Sequence, residues 1–164
     1  MIRTALPADL DAIADLHARA RATYYRGRIP ADAYAGEGER ARTREGWARA
    51  VARGDGGAEG ASAVLCAEQD GELTGVAAFR TVDGEATLTQ LHVDPGHWRR
   101  GTGTALHAAC LDRWRRAGIP RVRLEVYEHN LRAQAFYAAH GWRPDPRTPR
   151  AGSHHTLWLT VGEE

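Results

Sequence analysis

The stretch "TLTQLHVDPGHWRRGTGTAL", residues 87–106, changes from a strand-like pattern to a helical one. Between the two patterns lie the paired arginines Arg99 and Arg100 and the glycines Gly101 and Gly103. The first turn of a helix presents unpaired amide groups and partial positive charge, and glycines let a ligand approach the backbone closely. The stretch therefore predicts a strand, a turn suited to a phosphate or pyrophosphate, and a helix.

Two known phosphate loops do not fit this stretch. All 22 basic residues are arginine, and the Walker A loop requires a lysine. A dinucleotide fingerprint requires a third glycine three residues after Gly103, where this chain has Leu106. On these physical grounds a pyrophosphate site and a tight turn with solvated arginines both stay open.

Hydrophobic periodicity outward from this stretch predicts one α/β domain over residues 1–164. Asp-Gly pairs at 70–71 and 83–84 divide residues 62–93 into three strands of an antiparallel meander. We predict further strands at 2–6, 121–126 and 154–161, and helices from Pro7 to about Arg21 and at 40–53, 102–116 and 131–140.

Composition bounds the class of function. Hydrophobic residues make up 43% of the chain and the net charge is +1, which is ordinary for a soluble domain and gives no overall attraction to nucleic acid or membranes. The N-terminus lacks the apolar run of a signal peptide, so we expect a cytoplasmic protein. Cys66 and Cys110 do not suggest a disulfide framework, and small buried thiols explain both.

Two motifs in order, "LHVDPGHWRRGTGTAL" and "LEVYEHNLRAQAFYAAHGW", resemble the adjacent core motifs of the GCN5-related N-acetyltransferases (GNAT). That family's loop reads Q/R-x-x-G-x-G/A, and Trp98 stands where its glutamine or arginine is usual. The second motif's asparagine matches Asn130, and its tyrosine matches Tyr137. The resemblance covers nearly the whole chain. It implies a single-domain GNAT-like fold with a mixed, mostly antiparallel central sheet of about six to seven strands and about four helices.

The resemblance also implies that acetyl-coenzyme A is a cosubstrate, bound through the backbone amides of the loop. No metal is expected, because the adjacent His154 and His155 point to opposite faces of a strand. The expected coenzyme-binding residues are Leu91, His92, Val93, Trp98, Arg99, Arg100, Gly101, Thr102, Gly103, Thr104, Asn130 and Tyr137.

Acetyl transfer to an amine requires a proton acceptor, a donor for the carbonyl oxygen and a donor for the leaving sulfur. The resemblance assigns Tyr137 to the sulfur, although a packed aromatic residue is the alternative. The resemblance also implies that a backbone N–H near Leu91 or Val93 meets the oxygen. Asn130 is also a favoured helix N-cap, and capping alone would explain it.

For the base, Glu125 is the first choice, because the strand "RVRLEV" alternates and so directs Arg123 and Glu125 to its polar face. The resemblance supports this choice, since a glutamate in a similar strand has that role in relatives that acetylate protein N-termini. An Arg123–Glu125 ion pair is the structural alternative. Glu85, His92 or a water molecule are the other candidate bases.

The expected function is N-acetylation of a primary amine by direct attack in a ternary complex. The acceptor is a small-molecule amine or a peptide N-terminus, and Tyr24, Tyr25, Tyr34 and Trp47 are candidates for lining its pocket. Glu37, Glu39 and Glu45 give a modest hint of a cationic acceptor. The alternatives are a catalytically degenerate coenzyme A sensor or scaffold, and a homodimer that forms through an exposed last strand.

Overall fold

The computed structural model describes residues 1–55 and 62–162. One eight-stranded sheet has helices on both faces. The strands are β1 Ile2–Thr4, β2 Ala63–Gln69, β3 Glu72–Val82, β4 Glu85–Val93, β5 Arg121–Tyr127, β6 Arg143–Pro144, β7 Arg150–Ala151 and β8 His154–Thr160. The helices are α1 Leu10–Tyr25, α2 Asp32–Ala35, α3 Glu37–Arg53, α4 Thr102–Arg116 and α5 Leu131–Ala139. Within these ranges, no helix combines the length and apolar character needed to cross a membrane.

The strand order is β1-β2-β3-β4-β5-β8-β6, with β7 also paired to β8. All of these pairs are antiparallel except β4 with β5. The α/β fold and the mostly antiparallel sheet predicted from the sequence are confirmed, and the two shortest strands, β6 and β7, are additional. Helices α4 and α5 cover one face of the sheet, and α1 and α3 cover the other.

Both Asp-Gly hairpins are confirmed by backbone geometry. Asp70 and Gly71 have φ angles of 53° and 81°, and Asp83 and Gly84 have 50° and 79°. Two successive residues with positive φ form the turn type that matches the twist of antiparallel strands. The meander β2-β3-β4 is therefore specified locally by these two turns.

Strand β4 pairs with β5 over a very short length. A shift in register leaves Thr89 as an extra residue on β4, because Ala78 pairs with Gln90 while Phe79 pairs with Leu88. The only parallel pair between the described parts of β4 and β5 joins Thr87 and Arg123. A bulge bends a strand and ends regular pairing, so the two strands separate beyond this point and leave a gap in the sheet.

Two predicted helix boundaries and the predicted exposure of the last strand were wrong. Helix α1 continues to Tyr25 rather than Arg21, and α3 begins at Glu37 after the additional turn α2. The last strand is not an exposed edge, because β8 pairs with β5 on one side and with β6 and β7 on the other. The strands β6 and β7 lie in a Pro- and Arg-rich stretch whose sequence does not predict strands. Because they pair with β8, the last strand is not the free edge that the dimer hypothesis required.

Gly75 fixes the position of helix α4 over the sheet. It pairs with Val93 at the end of β4, and a Cβ built on it would lie 2.8 Å from Leu106 Cδ1 and 3.1 Å from His92 O and from Thr102 Cγ2. No side chain fits at these distances without displacing a neighbour. The first turn of α4 therefore contacts the sheet because residue 75 has no side chain.

We predict that Gly75→Ala lowers the free energy of unfolding by about 1–3 kcal/mol, because an added methyl group overpacks this contact. Denaturant titration measures the change. Gly46→Ala is the control: this glycine lies in α3, where a Cβ would have only the tip of Arg49 near it, at 4.0 Å, and alanine favours a helix there. Equal stability of Gly75→Ala and the wild type would contradict the packing account.

Candidate active site

A cavity of about 410 Å³ lies at the end of β4, between the first turn of α4, helix α5 and helix α1. It gathers most of the residues that the sequence predicted for coenzyme binding. Arg100 is exposed and outside the cavity wall, and Glu125 lines a different cavity. The predicted residues on the wall are Leu91, His92, Val93, Trp98, Arg99, Gly101, Thr102, Gly103, Thr104, Asn130 and Tyr137.

The loop before α4 places the first turn of the helix at the wall of this cavity. Asp94 Oδ1 accepts a hydrogen bond from the amide of Gly96, and Arg99 and Gly101 have φ angles of 64° and 80°. Gly101 is the N-cap residue, and within the described residues no side chain caps α4. Because the amides of a first helical turn have no partner inside the helix, they remain available to an anion.

The two glycines of the loop are required for different reasons. No atom of the described residues lies within 4 Å of a Cβ built on Gly101, so its positive φ is what favours glycine there. A Cβ on Gly103 would lie 3.3 Å from the Phe136 ring and 3.6 Å from Val93. Gly103 thus allows α5 to pack closely against α4, which sets the width of the cavity.

Trp98, the departure from the family's loop, has a defined place. Its indole N–H donates to the carbonyl of Val93 at 3.1 Å, and the guanidinium of Arg132 lies 3.7 Å from the ring centroid. Burial, followed by the nearby charge of Arg99, lowers the pKa of Arg132. Trp98 therefore holds a second cation beside Arg99, at the point where the loop presents its amides.

Sequence reasoning missed Arg132. Its signal was a basic residue in the first turn of the helix after Asn130, which repulsion from the helix dipole disfavours. Asn130 itself caps α5, because its Oδ1 accepts from the amide of Ala133 at 3.2 Å. It also lines the cavity, so its position is compatible with both expectations for this residue.

A second cavity, of about 330 Å³, adjoins the first across the gap between β4 and β5. Of the aromatic residues suggested for an acceptor pocket, Tyr24, Tyr25 and Tyr34 line it, whereas Trp47 does not. Its wall also includes Glu125 and, from helix α1, His17 and Arg21. Six residues line both cavities, namely Tyr24, Leu91, His92, Asn130, Ala133 and Tyr137.

Two phenols stand where the cavities meet. Tyr137 is buried on α5, and its ring packs edge-on against Trp142 with centroids 5.7 Å apart. Burial, with smaller contributions from Tyr24 and Cys110, holds the pKa of the Tyr137 hydroxyl well above its ordinary value. Burial likewise raises the pKa of Tyr24. Both hydroxyls are therefore protonated at neutral pH.

A pair of neutral imidazoles also lines the second cavity. The rings of His17 and His92 stack with centroids 4.2 Å apart, and His92 Nε2 lies 2.6 Å from Gln90 Oε1. The indole N–H of Trp47 donates to Nδ1 of His17 at 3.0 Å. Burial lowers the pKa of His17 to about 4 and that of His92 well below its ordinary value.

Glu125 lies in an ion pair as well as on the wall of the second cavity. Its Oε1 is 2.8 Å from Nη2 of Arg123, whose Nε is 3.7 Å from Glu85 Oε2. Glu85 does not line either cavity. Of the candidate bases named from the sequence, Glu125 and His92 therefore reach the site and Glu85 does not.

The two cysteines are placed as expected for small buried thiols. Cys66 and Cys110 are both buried and free. Burial raises the pKa of each thiol to about 12, so neither is a thiolate at neutral pH. Neither cysteine lines the two cavities.

Solved structures share this fold over almost the whole chain. The PaiA N-acetyltransferase from Thermoplasma acidophilum, in complex with coenzyme A, superposes with a TM-score of 0.84 at 20% identity, covering 98% of each chain. The ribosomal-protein-S18-alanine N-acetyltransferase from Escherichia coli gives a TM-score of 0.70 at 22% identity, covering 100% of this chain and 95% of that one. At such identities the likeness concerns the fold.

Sequence relatives match a part of the chain. An uncharacterized N-acetyltransferase of Mycobacterium tuberculosis is 38% identical over 95 residues, which are 57% of this chain and 61% of the relative. The ribosomal protein bS18-alanine N-acetyltransferase of Escherichia coli is 35% identical over 74 residues, 45% of this chain and 50% of the relative. The chain thus spans between half and three fifths of the length of these relatives.

The sequence model of the Acetyltransferase (GNAT) family matches residues 19–142, which include the gap between β4 and β5, the loop before α4 and helix α5. The loop, the uncapped helix and the whole lining of the first cavity lie within that match, as does the lining of the second cavity apart from His17 and His154. The chain belongs to the Acetyltransferase (GNAT) family.

Proposed function

We propose that this protein is an acetyl-coenzyme A-dependent N-acetyltransferase that acts on a primary amine by direct attack in a ternary complex. The observation that carries the proposal is the meeting of two cavities at the gap between β4 and β5, with six lining residues in common. One cavity fits the coenzyme and the other fits the amine. Two ligands bound in this way would be held together for one reaction step.

The residues of the first cavity fit the coenzyme on chemical grounds. Its diphosphate is an anion, and the wall offers the unpaired amides after Gly101 together with the guanidinium groups of Arg99 and Arg132. Acetyl-coenzyme A supplies the acetyl group as a thioester. Leu91 and Val93, at the edge of the gap where β5 has separated, are the proposed source of a backbone N–H for the carbonyl oxygen.

Tyr137 is proposed to donate a hydrogen bond from its hydroxyl to the sulfur as the carbon–sulfur bond breaks. The hydroxyl lies at the junction of the cavities and keeps its proton, because burial raises its pKa. A thiol has an ordinary pKa of about 8.5, so a phenol of higher pKa gives up its proton to a thiolate only at a cost. Tyr137 therefore stabilises the sulfur through a hydrogen bond rather than by full proton transfer.

Glu125 is proposed to take the proton of the attacking amine, directly or through water. Protonation of His92 would place a buried cation beside His17 and Arg21, which burial and charge repulsion both oppose. Protonation of Glu125 creates no buried charge, and its side chain is 42% exposed, so solvent can remove the proton. The carboxylate therefore suits a base that must turn over repeatedly.

The test of this function is a thiol-release assay with acetyl-coenzyme A and a panel of peptide N-termini, amino acids, amino sugars and polyamines. We expect release of free thiol that depends on at least one amine, with the acetylated amine identified by mass spectrometry. Coenzyme binding by calorimetry with no turnover of any amine would instead support the sensor or scaffold alternative. Absence of both binding and turnover would overturn the proposal entirely.

We predict that Tyr137→Phe lowers kcat by about ten-fold or more, since the ring stays and only the hydroxyl donor is lost. The affinity for acetyl-coenzyme A, measured by calorimetry, should stay within about two-fold of the wild type. An unchanged kcat would remove Tyr137 from the mechanism. A large loss of coenzyme affinity would give it a binding role instead.

We predict that Glu125→Gln lowers kcat by about 100-fold at neutral pH, because the amide cannot accept a proton. Glu85→Gln is a matched control, since Glu85 approaches the same Arg123 from outside the cavities. Steady-state kinetics of both variants with one amine measures the difference. If the two variants lose activity equally, the charge around Arg123 matters and Glu125 is not the base.

A further inference from the structure

Arg21 lies on the wall of the proposed acceptor cavity, and only one of its three guanidinium nitrogens has a partner among the described residues. Its side chain is 6% exposed. Nη1 donates to the hydroxyl of Thr43 at 2.8 Å and lies 3.6 Å from Oε1 of Glu39. Nε and Nη2 are buried, and among the described residues they have no hydrogen-bond partner. Buried charged donors without partners cost free energy, so this edge needs an explanation.

The unpartnered edge is the one that suits an oxyanion. Nε–H and one Nη2–H point in parallel from the same side of a guanidinium and match the two oxygens of a carboxylate or phosphate. The contact with Thr43 and the approach to Glu39 use the other side, and they already explain how Arg21 links helices α1 and α3. A purely structural role for Arg21 therefore accounts for its Nη1 group but not for the buried Nε–H and Nη2–H groups.

The surroundings of Arg21 are rich in positive charge. A third cavity, of about 370 Å³, continues from the acceptor cavity and shares His17, Arg21, Glu39, Thr89 and Gln90 with it. The charge of Glu39 is divided between Arg21 and Arg42, which lies 2.9 Å from its Oε2. The third cavity adds further guanidinium groups, namely those of Arg42, Arg49, Arg53 and Arg80.

The acidic residues that suggested a cationic acceptor do not form an acidic site. Of Glu37, Glu39 and Glu45, only Glu39 lines the acceptor cavity or the third cavity. Among the described residues of these two walls, arginines outnumber carboxylates: the acidic residues are Glu39 and Glu125, and four of the five arginines belong to the third cavity alone. The acceptor cavity itself has Arg21 with the carboxylates Glu39 and Glu125, so it is the charge of the third cavity that favours an anion over a polyamine at Arg21.

Helix α1 also sets the distance between the anion site and the reaction. Arg21 and Tyr24 are three residues apart and share a face of the helix, which separates them by about 4.5 Å along its axis. Tyr24 lines the junction of the cavities together with Tyr137. An anion on Arg21 would thus lie about one helical turn from the reacting groups, which suits an amine with an acid group a few bonds away.

We propose that Arg21 binds a carboxylate or phosphate carried by the acceptor, so that the substrate class is a small anionic amine. This inference rests on the proposed acetyltransferase function and adds the specificity of its second site. Arg21 is a substrate-binding residue in this account. The Nε–H and Nη2–H groups of Arg21 orient the acid group of the acceptor, and the arginines of the third cavity attract its negative charge.

The test compares amines that differ only in the acid group. We expect kcat/KM to be at least ten-fold higher for O-phosphoethanolamine than for ethanolamine, or for L-alanine than for L-alaninamide. The pair that responds shows whether phosphate or carboxylate is bound.

The variant Arg21→Gln should bring this ratio of kcat/KM values close to one, mainly through a higher KM for the anionic amine. Arg21→Lys should give a ratio between those of the wild type and Arg21→Gln, because lysine keeps the positive charge but lacks the two parallel N–H donors. Arg44→Gln is the matched control, because Arg44 links α3 to α1 through Asp11 outside all three cavities.

Calorimetry separates this inference from the proposed function. The responding anionic amine should bind wild-type protein saturated with coenzyme A and should bind Arg21→Gln about 10- to 100-fold more weakly. Such binding without turnover would uphold the anion site while the acetyltransferase proposal fails. If neutral amines bind and react as well as their anionic partners, the inference is overturned, whether or not the protein is an acetyltransferase.

Discussion

The separation of β4 from β5 is the constraint on which the rest of the structure depends. Parallel strands normally pair along their length, but a one-residue bulge at Thr89 ends the pairing after Thr87 and Arg123. The backbone of Leu91 and Val93 consequently faces a gap instead of a neighbouring strand. Both proposed ligand cavities open onto that gap, so a single irregularity of the sheet creates the place where they meet.

The position of the first turn of α4 follows from contacts on two sides. Gly75 lets the helix start lie directly on the sheet, and Gly103 lets α5 lie directly on α4. Gly101 allows the chain to turn into the helix without a capping side chain. The first turn of α4, and its position against the sheet and α5, are therefore set by close packing at these glycines.

Much of this arrangement was predictable because it is encoded locally. The Asp-Gly turns define the meander, periodicity defines α4, and the loop motif with Asn130 and Tyr137 identifies the family and most of the residues that line the first cavity. Glu125 was expected to be a base or to pair with Arg123, and the structure shows the pair together with a place on the wall of the second cavity. The chemical roles of these residues stay predictions.

The remainder depends on contacts between distant segments, which periodicity does not reveal. Arg132 lines the proposed coenzyme cavity, where its guanidinium lies over the ring of Trp98, a residue thirty-four positions earlier. Arg21 is one polar residue among many on an amphipathic helix, and its buried, half-used guanidinium emerges only when α3 packs against α1. The additional strands β6 and β7 are likewise defined by their pairing with β8.

The most direct test of the central claim is an NMR titration of the amide-labelled protein with coenzyme A. If the uncapped start of α4 binds the diphosphate, the amide signals of Gly101, Thr102, Gly103 and Thr104 should shift most, because their N–H groups gain an acceptor. Shifts that cluster on the opposite face of the sheet, or saturating coenzyme with these four signals unmoved, would contradict the account.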